Sequence, residues 1–433
     1  MLERIFHIHE RGSTVTREII GGIVTFLAMS YILVVNAGIL SAAGMDYNAL
    51  IVATALASGV GTLISAFIAN APCGLSTGLG VNAFFSYTLC LTTGYHWQQA
   101  LAITFISGIL FLIIMLTPLR NKIIDVIPAP LKRAISIGIG MFIALIALFN
   151  GGIVETANGI LSLGNITSGA PLLALIGIAL TIILMLFKVK GAILIGIILT
   201  TLIGIPMGIT NTNVDLSFAN ISVEPVFFKL SFEGLTQFGV IPLITAIFTL
   251  LIIDIFDSVG TLTGILSECD MIEEDGSIKD QTMTKALIAD AAATCTGALI
   301  GTSTNTNFVE ASSGVAAGAR TGLASVVTGV LFLLSCFLAP LLAAVPSAST
   351  VAALVVVGVL MFKNVKYIDW TDFEVAVPCF LTIAFMPFSY SISNGIGVGI
   401  ISYVLIKLFR GKFKEIHPLM YVLAALFVLM FIL

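Results

Sequence analysis

Four carboxylates lie in stretches of this sequence where charge is expensive. Asp254 and Asp257 interrupt the Leu-, Ile- and Phe-rich run TLLIIDIFDSVGTLTG (249–264). Asp290 falls inside the apolar stretch 283–301, and Glu310 sits near the start of VEASSGVAAG (309–318). Asp254 and Asp257 are three residues apart, so on a helix they share roughly one face. No membrane-embedded lysine or arginine accompanies these acids.

An acid so placed has two uses. It can tie helices together through hydrogen bonds, for instance by capping the amides of a broken segment. Alternatively it can hold a proton, as a carboxylate kept from water and cations does near neutral pH, or accept strongly from a ligand's N–H groups. Both uses stay open for Asp254 and Asp290. Asp257 precedes Ser258-Val259-Gly260, where glycine permits close backbone approach, and Glu310 opens a broken segment. These two are therefore candidates to touch a ligand, with Thr261 of the same motif beside Asp257. Such a site repels an anion, whereas a cation is not excluded on these grounds.

Other chemistries lack their parts. His7, His9, His96 and His417 are terminal or in loops, with none beside the acids. The six cysteines, Cys73, Cys90, Cys269, Cys295, Cys336 and Cys379, show neither metal-ligand spacing nor a disulfide framework. Ser and Thr are plentiful, but a nucleophile needs a base beside it. No phosphate-binding loop motif occurs. The sequons Asn165-Ile166-Thr167 and Asn220-Ile221-Ser222 are tripeptides common by chance.

The elements that must position these residues are membrane spans. The chain is 58% hydrophobic and only 10% charged, with mean hydropathy +1.12, against about 25% charged residues in a soluble protein. Fourteen apolar segments are expected near 19–42, 49–70, 80–93, 98–118, 130–150, 169–187, 191–209, 240–265, 283–301, 307–319, 322–343, 348–362, 374–389 and 392–409. The short apolar tail MYVLAALFVLMFIL (420–433) is left unplaced. MLERIFHIHERGSTVTRE (1–18) has no apolar core followed by a small-residue cleavage site, so the first span is expected to serve as its own insertion signal.

With the N-terminus in the cytoplasm, loops on that side should be basic. Arg120, Lys122, Lys132 and Arg133 follow span four, Lys188 and Lys190 span six, and Lys279 and Lys285 span eight. Arg320 follows segment ten, Lys363 and Lys366 span twelve, and Arg410, Lys412 and Lys414 span fourteen. The long opposite loop, roughly 210–238, carries only Lys229. One span missed or invented would invert every later loop.

Two segments are too short to cross alone. NAPCGLSTGLGVN (70–82) leads into the third and GTSTNTNFVE (301–310) into the tenth. Polar, extended backbone at membrane depth must sit within protein or line a cavity, and paired interruptions in two halves point to a transporter binding site. Asn82 and Asn307 lie 225 residues apart, Gly38 and Gly260 222. Two halves of seven segments, an odd number, must be inverted relative to one another. Near the breaks, Phe84, Phe85, Tyr87 and Phe308 offer flat stacking faces, although in a chain with 29 Phe any one of them can be ordinary packing. Asn82 can donate and accept in one plane, as a heterocycle's edge requires, and the half-helix beginning near it directs amides at the same hollow.

FDSVGTL (256–262), GTSTNTNFVEASSGVAAGARTGL (301–323), GLGVNAFFSYT (78–88), REIIGGIVTFLAMSYILVVNAGIL (17–40) and MPFSYSISNGIGVGIISYVLIKL (386–408) together cover nearly the whole chain. In these motifs the sequence resembles the AzgA-like purine permeases of the second nucleobase–cation symporter family. The resemblance implies an all-α polytopic membrane protein with a seven-plus-seven inverted repeat. Residues 1–118 and 239–343 would form a core domain and 119–238 and 344–415 a gate domain, with 416–433 outside the scheme.

It further implies a transporter rather than an enzyme, importing purine bases by proton symport, hypoxanthine and guanine first and adenine next. By motif position Asp257 and Glu310 are expected to bind the purine and Asn82 to shape selectivity, with Asp290 a further acid of the family. One departure is Phe308, where the branch usually has Tyr. The expected partners are the base, a proton in preference to sodium, and the lipid bilayer of the cell membrane, with a homodimer as the candidate assembly. No cofactor, metal or nucleic acid is expected. A channel-like or anion-exchanging protein of the same architecture is the alternative, and it would need a basic residue in the pocket.

Overall fold

In a computed structural model, the described residues are 2–117, 126–157, 160–212, 221–269, 281–432. Arg120, Lys122, Lys279 and Asn220 lie outside them. Among the described residues ten helices are long and apolar enough to cross a membrane, and shorter apolar helices cover 79–92, 192–204, 373–388 and 418–432. Together with the broken tenth segment they give the fourteen crossings of a polytopic, seven-plus-seven protein and one extra helix at the end.

The first span is α1 (Val15–Met29) and α2 (Ile32–Ser41), separated by a break at Ser30 and Tyr31. Thr14 caps α1 by accepting from Arg17 N at 3.3 Å. The second span, α3 (Tyr47–Ala69), starts where Asp46 accepts from Ala49 N at 2.7 Å and stops at Asn70, which turns left-handed at φ 47°.

The chain then runs into β1 (Leu75–Thr77), helix α4 (Leu79–Ala83) and wide π-type turns over Phe84–Thr92. In the second half, α9 (Val240–Glu268) and α10 (Thr282–Ile300) lead into β4 (Asn305–Asn307), a 3₁₀ turn (Val309–Ala311) and α11 (Ser312–Ala316). The remaining spans are α5 (Trp97–Leu116), α6 (Ala129–Asn150), α7 (Gly169–Leu186), α8 (Ala192–Gly204), α12 (Gly322–Ser335), α13 (Ser347–Phe362), α14 (Phe373–Phe388) and α15 (Ile392–Phe409). Between α6 and α7 a hairpin, β2 (Val154–Ala157) with β3 (Ile160–Leu163), closes the intervening loop.

The two extended stretches satisfy each other. β1 and β4 pair antiparallel, Leu75 opposite Asn307, Ser76 opposite Thr306 and Thr77 opposite Asn305. Gly78 N donates to Thr304 O at 3.1 Å and Phe308 N to Gly74 O at 2.9 Å, which lengthens the ladder at both ends. Thr62 of α3 accepts from Leu75 N and donates to Leu75 O, at 3.0 and 2.9 Å. Asn305 donates to the Ala57 carbonyl at 2.8 Å. All six strand residues are buried. The backbone polarity that lipid cannot satisfy is thus satisfied inside the protein.

The helices pack in two sets. In one, α3 packs on α10 and α12, α12 on α1, and α5 on α9 and α10. In the other, α6 packs on α13 and α14, α7 on α8 and α13, and α14 on α15. The tail is a fifteen-residue helix, α16 (Pro418–Ile432), which turns Met420, Ala424 and Phe427 inward against α15 and also reaches α9.

Gly301 ends α10 at φ +100°, and a Cβ there would collide with the Val226 carbonyl. Gly301→Ala is therefore expected to cost about 2–3 kcal/mol and to lower the unfolding midpoint in detergent. Gly208→Ala, at φ +70° with nothing within 4 Å, should cost no more than about 1 kcal/mol. Equal midpoints for the two variants would contradict this account of the turn.

Candidate functional site

The site is built where the second half's long helix and its broken segment face each other. Asp257 sits half-buried on α9, and no hydrogen bond or ion pair joins it to another described residue. Its carboxylate interacts electrostatically with that of Glu310, half-buried in the 3₁₀ turn after β4. One helical turn beyond Asp257, Thr261 is half-buried, and on the same stretch Gly260 and Gly264 have no atom within 4 Å of where a Cβ would stand. This stretch of α9 therefore borders open space. Gly38 on α2 borders open space in the same way.

Glu310 is held from the first half. Tyr31, at the break between α1 and α2, donates its hydroxyl to Glu310 Oε1 at 2.7 Å. From the other helix set, Lys132 places its Nζ 4.8 Å from the centroid of Phe256, the neighbour of Asp257. A cation thus comes near the ring next to the acid, which the apolar context of Asp257 in the sequence did not suggest.

Behind these two acids lies a second, drier pair. Asp290 and Asp254 are 0% and 1% exposed. Asp290 on α10 accepts from Ser258 Oγ and, at 3.2 Å, from Asn307 Nδ2. Asp254 on α9 accepts from Thr294 Oγ1 at 3.0 Å through Oδ2, while its Oδ1 has no hydrogen-bond partner. Asp254 and Ser258 are four apart on α9, as Asp290 and Thr294 are on α10, so the two helix faces meet acid to hydroxyl. Asn307 of β4 completes the cluster, and its own Oδ1 is likewise unpartnered.

Asn82 lies in the fourth position of α4, fully buried. Its Nδ2 donates to Asn36 Oδ1 at 2.6 Å and its Oδ1 accepts from Ser303 Oγ. Asn36 in turn donates to Thr54 Oγ1 at 2.7 Å and to Thr302 Oγ1 at 3.0 Å. The amide is thus the centre of a buried network joining α2, α3, α4 and the stretch before β4. Phe84 and Phe308 are buried in the main apolar core, 1% and 6% exposed. A cavity of about 430 Å³ lies elsewhere, lined by Leu145, Phe149, Thr156, Leu161, Pro387, Phe388 and Tyr390.

A family model described as a permease family matches residues 16–398. The chain belongs to this family, the second nucleobase–cation symporter family. The permease is 41% identical to the guanine/hypoxanthine permease PbuG of Bacillus subtilis, over 100% of this chain and 99% of that protein. It is 39% identical to the adenine permease AdeP of Escherichia coli, over 99% of this chain and 95% of that protein.

Two solved structures share the fold. One is the transmembrane domain of a cyanobacterium bicarbonate transporter, BicA, with TM-score 0.64 and 14% identity over 88% of this chain and 97% of that one. The other is the murine solute carrier 26 family member A9 anion transporter in its inward-facing state, with TM-score 0.67 and 11% identity over 91% and 68%.

Several residues bonded to the candidate groups were not singled out from the sequence: Tyr31, Asn36, Ser258, Thr294 and Ser303. Tyr31 and Asn36 were detectable as polar groups inside the apolar run MSYILVVN (29–36), since a membrane span seldom keeps a hydroxyl or amide without use. Ser258 and Thr294 carry no such signal, because Ser and Thr also satisfy themselves on their own helix.

Removing Asn36 leaves the Asn82 amide without its acceptor in a dry environment. Asn36→Ala should cost about 2 kcal/mol, seen as a lowered unfolding midpoint in detergent. Asn165→Ala, in an exposed loop, should stay within about 0.5 kcal/mol. An unshifted midpoint for Asn36→Ala would show that the network carries no stability.

Proposed function

We propose that this permease imports purine nucleobases by proton symport, the base being held between Asp257 and Glu310. The observation that carries the reading is that these two acids, one on α9 and the other on the broken segment, feel each other's charge where α9 borders open space at Gly260 and Gly264, with no cationic side chain ion-paired to either among the described residues. A purine offers N–H donors along two edges. Carboxylates accept such bonds more strongly than neutral groups do, and two of them fix a planar ring in orientation as well as in place. Thr261 adds a hydroxyl on the same stretch of α9. Phe84 and Phe308 are assigned the stacking faces, and Asn82 shapes selectivity from behind, through the network that sets α4.

The names of the relatives agree with this chemistry: guanine, hypoxanthine and adenine all present N–H groups. Hypoxanthine and guanine are placed first and adenine next. Asp254 and Asp290 are assigned to proton coupling or to tying α9 to α10. The partnerless Oδ1 of Asp254 supports the former and the bonds of Asp290 to Ser258 and Asn307 the latter.

Transport then requires the two helix sets to move against each other. The set containing α1–α5 and α9–α12 acts as a core carrying the base, and the set α6–α8 with α13–α15 acts as a gate. The packing within each set, denser than between them, supports this division. The protein is assigned to the cell membrane with its N-terminus in the cytoplasm, a placement the basic loops support, and a homodimer is the proposed assembly. An anion-exchanging reading has no basic residue among the described residues ion-paired to these acids to support it, and the likeness to anion transporters at 11–14% identity carries the fold alone.

Asp257→Ala and Glu310→Ala should each reduce uptake of labelled hypoxanthine by roughly 100-fold, the equivalent of losing one or two charged hydrogen bonds. A protonophore should abolish accumulation of the base in the wild type, and removal of sodium should leave it intact. Undiminished uptake with unchanged affinity in both variants would refute the site, and protonophore-resistant accumulation would refute the coupling.

A further inference from the structure

We propose that Tyr31 is a positioning residue for substrate recognition: its hydroxyl pins Glu310 through Oε1 and leaves Oε2 as the oxygen presented to the base. This inference rests on the reading of Glu310 as a base-binding residue and extends it.

Three observations carry it. The hydroxyl is 2.7 Å from Glu310 Oε1, with the phenol donating. Tyr31 is only 1% exposed, so the bond is made in a dry setting where a competing water is excluded. The ring stands in the first span between α1 and α2, where residues 30 and 31 form a turn that keeps helical backbone angles.

A glutamate on a short 3₁₀ turn has three side-chain torsions to fix before it can accept a hydrogen bond in one place. Left to itself, it loses that freedom each time a base binds. Tyr31 removes the freedom beforehand, which is how a preorganised site gains affinity. No other side chain in the described structure bonds Glu310, so the orientation depends on this contact. The bond also ties the first half to the second across 279 positions, at the level where the two broken segments meet. Asp257 has no such partner, so the two acids differ: one is fixed in advance and the other adjusts to the ligand.

The test measures uptake of labelled hypoxanthine by Tyr31→Phe in cells, with half-saturation and maximal rate determined separately. The expected result is a rise of about ten-fold in half-saturation, with a maximal rate per molecule within about two-fold of the wild type. In a Glu310→Gln background, Tyr31→Phe should add little further loss, because the carboxylate it positions is gone. p-Aminophenylalanine at position 31 keeps a donor at the ring's para position and should restore half-saturation to within about two-fold.

An unchanged half-saturation in Tyr31→Phe overturns the proposal. So does an equal loss in the wild-type and Glu310→Gln backgrounds, which would mean that Tyr31 serves only the helix break. If Tyr31→Phe does not accumulate in the membrane, the p-aminophenylalanine protein decides: wild-type half-saturation supports the donor role, and a raised one overturns it. If Glu310→Gln alone transports like the wild type, the reading of Glu310 fails first, and that outcome is distinct from failure of Tyr31.

Discussion

An interruption in a membrane helix exposes N–H and C=O groups that hydrocarbon cannot satisfy, and everything in this fold follows from how that is solved. Each half of the chain supplies one interruption, and the two are zipped together as β1 and β4. Neither stretch is tolerable alone. Paired, braced by Thr62 and by the Asn305 side chain, and extended by the backbone bonds at Gly78 and Phe308, they become a buried two-stranded floor. Each unsatisfied group would cost several kcal/mol at membrane depth, so the pairing is obligatory and the two halves are held in one register.

That floor positions the candidate residues. Each strand runs directly into a short helical element. One carries Asn82 and the other Glu310, so both begin near the middle of the protein rather than at its surface. The long helix α9 passes alongside and contributes Asp254, Asp257 and Thr261 from one stretch. The acids sort into two environments: Asp257 and Glu310 half-buried beside open space, Asp254 and Asp290 enclosed with hydroxyls and an amide. The proposed binding role goes to the first pair, and the proposed structural or proton-holding role to the second.

Much of this was legible in the sequence. The apolar segments, the two interruptions and the four acids can be read from hydropathy and from the rule that charge in a membrane needs a reason. The extended stretches before the third and tenth segments were expected; their pairing with each other was not, because strand register between residues more than 200 apart leaves no local periodicity. The tail after residue 415 could not be placed, since a fifteen-residue apolar helix is too short to declare itself a span; in the structure it packs on α15 and reaches α9. The candidate site was legible in its charged members and only in part in its neutral ones. Asp257 and Glu310 stand out by cost, whereas Ser258 and Thr294 look like any other span residues until the fold brings them to a carboxylate. Asn82 was read as facing a ligand, and the structure shows its amide engaged with Asn36 and Ser303.

The central claim is that a single base is gripped by two carboxylates from different segments. The most direct measurement is an experimental structure of the protein determined with hypoxanthine bound. The account predicts density for the base between α9 and the turn after β4, with ring N–H groups about 2.7–3.0 Å from oxygens of both Asp257 and Glu310. A base lodged instead in the cavity of Phe149 and Tyr390, or bonded to neither acid, would contradict it.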